Sequence, residues 1–292
     1  MGRSRVVAAL GVSAIVAAGA ILWAVDPGGG TVPAAASATT STTRPTTTIP
    51  AAGTGTTIAT SNVAELTVYQ RLPADAATAP AVPLTATATW PAYSPERAGA
   101  PEIPSLVEGV DGRFRTPDGW AFANPDSFGA APVFGVVERR GDWLAVVLPV
   151  RPNGTRGWVR ASDVTLSSTG YRVEVSVSGR RLRLFDGARV VTDVAVVVGR
   201  PATPTPTGHL FVTDTIDKPV GSVYGPGILP LSAFSQALDH FDDGVPVIAL
   251  HGTNRPDRLG TAASNGCIRV DNATIAMLRS TLPLGTPVDV VP

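Results

Sequence analysis

The chain has a single cysteine, Cys267, inside the run SNGCIR at 264–269, and one of its three histidines, His251, opens HGT at 251–253. A lone cysteine is more often a small buried hydrophobe than a nucleophile. Two features favour chemistry here. Gly266 stands directly before the thiol, where an unusual turn could aim the amides of Gly266 and Cys267 at one point, as an oxyanion hole requires. His251 follows the apolar run VPVIAL, where a strand gives way to a loop. An imidazole there can take the thiol proton and leave a thiolate able to attack a carbonyl. A zinc site is not expected, because zinc needs three or four ligands at short spacing and no HxxxH or CxxC occurs.

The elements that must hold these residues lie outside the cytoplasm on the sequence's own terms. Arg3 and Arg5 precede an uncharged apolar run at 6–25, which as a helix spans ~30 Å, the thickness of a bilayer core. It exceeds the usual apolar region of a secretory signal, so 1–30 is expected to be a membrane anchor, with a cleaved signal peptide as the alternative. Such a compartment makes an unpaired thiol a liability unless it is used. Residues 31–61 hold no aromatic and one charge, Arg44. They are expected to be a Thr/Ala/Pro-rich linker with a reach of ~95 Å if extended.

A first folded unit is expected at 62–167. VFGVVE and WLAVVL read as strands joined by the turn RRGD, and PNGT reads as a second tight turn. Trp143 and Trp158 are read as core packing rather than ligand stacking. The second unit, 170–292, opens with alternating residues broken at Ser178-Gly179 and Asp186-Gly187 and closes on the strand GTPVDVVP. Two short helices are expected in it. One lies near 232–241 with Phe234, Leu238 and Phe241 on one face; the other follows Asp271 or Asn272 and turns Ile275, Leu278 and Leu282 inward. The fold class is mainly β, a small barrel followed by a β-sandwich with short helices.

HGT at 251–253, SNGCIR at 264–269 and TPTPTG at 203–208 together resemble the L,D-transpeptidase catalytic domain, also called the YkuD domain. The likeness runs through 171–292 and includes YGP at 224–226 and GTPVDV near the end. GDW at 141–143 and GWV at 157–159 resemble the SH3-like domains of bacterial wall proteins. The first resemblance implies that Cys267 is the nucleophile, His251 its base, and the Gly252 carbonyl the group that orients the imidazole. It implies a peptidoglycan enzyme that cleaves the terminal D-Ala from a tetrapeptide stem and passes the acyl group to an amine of another stem. Ser264, Asn265, Gly266, Arg269 and Tyr224 are the candidate oxyanion and substrate-binding residues. Arg269 would fork onto a stem carboxylate, and Tyr224 would line the donor pocket under a mobile flap near 213–245. Many relatives have histidine where this chain has Asn265, so acid–base work falls to His251 alone. His209 and His240 are read as bystanders.

Charge is balanced, with 23 basic and 23 acidic side chains, which argues against nucleic acid as a partner. The expected partners are peptidoglycan stem peptides and, through 6–25, the plasma membrane; no cofactor is expected. An L,D-carboxypeptidase, with water as the acceptor, and a wall-binding module with a vestigial thiol are the alternatives.

Overall fold

The computed structural model describes residues 55–84, 113–241 and 244–292. The predicted anchor and the linker as far as residue 54 lie outside the described residues, as does the proline-rich stretch at 85–112. Among the described residues no helix is long and apolar enough to cross a membrane.

The first part is a nine-stranded antiparallel sheet. Val133–Arg140 and Trp143–Val147 form the hairpin that RRGD suggested, with Arg140 opposite Trp143. The inward residues Leu66, Val68, Phe122, Phe134, Leu144 and Val146 form its core. Trp143 is buried, with its indole N–H donating to Asp75 Oδ1 at 3.0 Å. Trp158 is only half-buried, so core packing accounts for the first tryptophan and not the second. The linker boundary also moves. Thr56–Ser61, expected in the linker, is a strand paired with both Val133–Arg140 and Val164–Thr169. Apolar Ile58 and Ala59, buried in that strand, gave it a reason to order that the surrounding threonines concealed.

The second part begins at Tyr171. A five-stranded sheet contains Tyr171–Ser176, Arg181–Asp186, Arg189–Ala195, Gly208–Phe211 and the closing strand Pro287–Val291. That last strand lies parallel to Tyr171–Ser176, with Val173 opposite Val288 and Val175 opposite Val290. All four valines are buried, and each is worth about 1.5–3 kcal/mol on removal from water. A four-stranded sheet holds Ile216–Asp217, Gly227–Phe234, Val247–His251 and Ile268–Arg269 in that order. Side chains from both sheets, Leu184 and Val288 from one and Leu229 and Leu250 from the other, belong to one core cluster.

The helix expected after Asp271 is present as Asn272–Thr281. Asp271 caps it by accepting from the Thr274 amide at 2.9 Å, and Ile275, Leu278 and Leu282 are buried. The helix expected near 232–241 is absent. Gly227–Phe234 is a strand instead, with Leu229, Leu231 and Ala233 buried at every second position. Ser235 then turns the chain, its hydroxyl accepting from the amides of Ala237 and Leu238. The apolar residues that mimicked a helix face serve different purposes on the two sides of that turn. The expected mobile flap at 213–245 is corrected by the same strand, whose buried side chains fix the middle of that stretch in the core.

Candidate active site

Parallel pairing brings the two halves of the chemistry together. Val247–His251 lies beside Ile268–Arg269, with Leu250 opposite Ile268 and His251 opposite Arg269. The ladder thereby sets Cys267 alongside the middle of the histidine strand. His251, Cys267, Asn265, Arg269 and Tyr224 all line one cavity of about 160 Å³.

His251 is 4% exposed, and its Nδ1 lies 2.7 Å from the Gly252 carbonyl oxygen. A carbonyl only accepts, so Nδ1 carries the proton and Nε2 keeps its lone pair. Tyr224 meets the ring edge-on, with centroids 5.0 Å apart. Burial pulls the imidazole pKa down to about 4; the Gly252 bond opposes this, and the Arg269 charge adds to it. The ring is therefore neutral at physiological pH.

Cys267 is half-buried and donates its S–H to the Val247 carbonyl at 3.8 Å. Burial raises the thiol pKa, while the main chain of Ala249 and the Arg269 charge pull it down. Because hydrogen bonding to the thiolate is what lowers a thiol pKa, the Ala249 contribution comes from its N–H. The two shifts together describe a resting pair of neutral thiol and neutral imidazole, not a preformed ion pair.

Arg269 brings a guanidinium into the cavity, and its Nε is buried with no hydrogen-bond partner among the described residues. Among the described residues, no aspartate or glutamate lines the cavity. An anion entering it would find a cation in the Arg269 guanidinium.

The turn before the thiol departs from the expectation in two respects. Gly266 has φ +120°, and a Cβ there would lie 2.9 Å from Ile248 Cδ1, so glycine is required. Its amide, however, donates to Ser264 Oγ at 3.1 Å. It is thus committed within the turn, and the Cys267 amide is the remaining donor for an oxyanion. Ser264 is not a substrate contact either. It is 1% exposed, and its hydroxyl donates to the Cys267 carbonyl at 2.6 Å, pinning the turn from inside.

Two residues of TPTPTG do work that the sequence reading did not give them. Thr205 Oγ1 donates to the Gly266 carbonyl at 2.8 Å and accepts from the Gly199 amide at 2.8 Å. Thr203 Oγ1 donates to the Ser264 carbonyl at 3.2 Å. Both threonines are buried, and together they hold the turn before the Cys267 thiol from below. A third residue, Asn272, secures the histidine side by accepting from the Thr253 amide at 2.9 Å. Threonines between prolines were the available signal, but only the fold reveals what their hydroxyls reach. His209 binds Asp289 at 2.5 Å and His240 is exposed; neither lines the cavity.

Residues 170–290 match the sequence model of YkuD, the L,D-transpeptidase catalytic domain. Two L,D-transpeptidases by name are similar over the same part of the chain. YkuD of Bacillus licheniformis is 35% identical over 122 residues, which are 42% of this chain and 66% of that protein. YkuD of Bacillus subtilis is 32% identical over 120 residues, 41% of this chain and 65% of that protein. The chain thus spans just under two thirds of the length of these relatives. Among solved structures, an L,D-transpeptidase from Mycobacterium smegmatis aligns at a TM-score of 0.36 and 12% identity, covering 55% of this chain and 91% of that one. By sequence model and relatives alike, residues 170–290 are similar to the YkuD-type L,D-transpeptidase catalytic domain.

Proposed function

We propose that the protein is a peptidoglycan L,D-transpeptidase working by cysteine acyl transfer. The observation that carries this reading is the Nδ1 bond from His251 to the Gly252 carbonyl, which leaves the Nε2 lone pair free in the same cavity as the Cys267 thiol. Such a bond does for the imidazole what a carboxylate does in a serine triad: it fixes tautomer and orientation.

In the proposed reaction a tetrapeptide stem enters with its terminal carboxylate toward Arg269. The thiol swings from the Val247 carbonyl toward His251 and passes its proton to Nε2 as sulfur attacks the carbonyl carbon preceding the terminal D-Ala. Proton transfer and attack belong to one step, because neither the thiolate nor the imidazolium is stable beforehand. The Cys267 N–H faces the developing oxyanion, where one such donor is worth about 10²–10³ in rate. Collapse breaks the C–N bond, the imidazolium returns its proton to the leaving amine, and a thioester remains. An amine of a second stem then attacks the thioester, loses its proton to Nε2 and releases the thiol. Asn265, on the cavity wall, donates to the bound stem. The protein would act outside the cytoplasm, tethered through residues 6–25, with the N-terminal sheet unit serving as an SH3-like wall-binding module.

Purified protein given tetrapeptide stems tests the reading. Cross-linked dimers are expected. Tripeptide alone would assign the protein as an L,D-carboxypeptidase, and unchanged substrate would overturn the catalytic reading. His251→Ala should slow thioester formation by about 10²–10⁴-fold.

A further inference from the structure

The cavity is lined by residues of 170–290, but one of its walls is held from outside that stretch. One wall comes from the segment after Gly227–Phe234, where Ser235, Leu238 and Phe241 line the cavity facing the thiol and imidazole strands. This segment is a turn without regular structure, and Ala237 at its tip is exposed. Its outward main-chain groups are met by two side chains from the loop after Trp143–Val147 in the N-terminal sheet unit. Arg151 Nη2 donates to the carbonyls of Ser235 and Leu238, both at 2.9 Å. Asn153 holds Phe234 on both sides: its Nδ2 donates to the Phe234 carbonyl at 2.8 Å, and its Oδ1 accepts from the Phe234 amide at 2.9 Å. The Arg151 guanidinium also lies over the Phe234 ring, 5.6 Å from its centroid.

Arg151 spends one nitrogen on two carbonyls, while its Nε and Nη1 are buried without hydrogen-bond partners among the described residues. A guanidinium kept in that condition gains little stability from the contact, since buried polar groups left unbonded oppose burial. What the contact does supply is a fixed spacing between Ser235 and Leu238, one helical turn's worth of chain that has no helix to set it.

From this we infer that Arg151 and Asn153 are positioning residues for the substrate cavity, holding its 235–241 wall at the width a stem peptide needs, so that the N-terminal unit takes part in substrate binding without touching substrate. The inference rests on the cavity being the stem-peptide site. It separates two quantities. Loss of the brace should weaken binding and leave the Cys267–His251 chemistry alone, because the bonds of Arg151 and Asn153 go to Phe234, Ser235 and Leu238 and not to the strands that carry those two residues.

The test uses the full chain and the variants Arg151→Ala, Arg151→Lys and Asn153→Ala, with thermal melting as a control for folding. Hydrogen exchange of the 234–247 segment is read first: Arg151→Ala and Asn153→Ala should exchange there about tenfold faster, with the 262–270 segment unchanged. Acylation by a carbapenem is read second. The apparent binding constant should worsen by about tenfold in Arg151→Ala, with the limiting rate and the alkylation of Cys267 by iodoacetamide as in the parent. Arg151→Lys, which keeps one donating nitrogen, should recover part of the loss. Unchanged exchange at 234–247, or a fall in the limiting rate with binding unaffected, would overturn the inference. If the parent protein is not acylated at all, the functional reading fails, while the exchange measurement still decides whether the wall is braced.

Discussion

The buried imidazole makes a quantitative demand on acid stability. His251 titrates near 6.5 in an unfolded chain and at about 4 in the folded protein, chiefly because burial disfavours the charged ring. The unfolded state therefore binds a proton across a pH range in which the folded state does not. Stability is unaffected by this group above the unfolded value, falls as pH drops from there through the folded value, and levels off below it. The full difference is about 3 kcal/mol, a large share of the 5–15 kcal/mol typical of a domain. Replacing His251 with glutamine removes the titration while keeping a polar side chain of similar reach. Denaturant unfolding of both proteins between pH 7.5 and pH 4 isolates the effect, because every other side chain is common to the two proteins and its contribution cancels. The parent should lose about 3 kcal/mol more than His251→Gln across that range. Parallel profiles would mean that the ring is hydrated or charged in the folded state, and the argument for a neutral resting pair would fail.

The raised thiol pKa leads to slow alkylation of Cys267 by iodoacetamide at neutral pH and a rise only above the ordinary thiol range; rapid alkylation at pH 7 would show a preformed thiolate. Because Arg269 lowers both pKa values, Arg269→Gln should move the alkylation profile to still higher pH and weaken binding of a stem with a free carboxylate more than of its amide. Gly266→Ala sets a Cβ against Ile248 at φ +120°, with about 1–3 kcal/mol of strain; acylation should fall by about 10²-fold through displacement of the thiol, read by intact mass against time. Thr205→Val strands the Gly266 carbonyl and the Gly199 amide, so melting should report a loss of about 1–3 kcal/mol together with slower acylation.

Much of this site was legible before any coordinates, and the divisions have physical causes. His251 and Cys267 stood out because few residue types do nucleophilic chemistry and the chain offers just one thiol. The Asp271 cap and the alternation in the flanking strands announced themselves through local hydrogen bonding and period. The turn at 264–267 was harder. Gly266 signalled an unusual backbone, but whether its amide faces substrate or the Ser264 hydroxyl depends on a side-chain rotamer that no spacing encodes. The strand Gly227–Phe234 was misread because Phe234, Leu238 and Phe241 have helical spacing, while the choice was made by tertiary burial of Leu229, Leu231 and Ala233. Arg151 lies far from the site in sequence, in a loop that looked like an ordinary hairpin connection. Only the packing of that loop on Ser235 and Leu238 discloses its use.

The account stands most directly on the fate of the Cys267 sulfur when a donor arrives. Protein mixed with a tetrapeptide stem and quenched in acid within one turnover should gain the mass of the stem less its terminal D-Ala, located on the peptide containing residue 267 and absent from Cys267→Ala. Turnover of the stem with no such adduct in the parent, or an adduct that persists in Cys267→Ala, would contradict it.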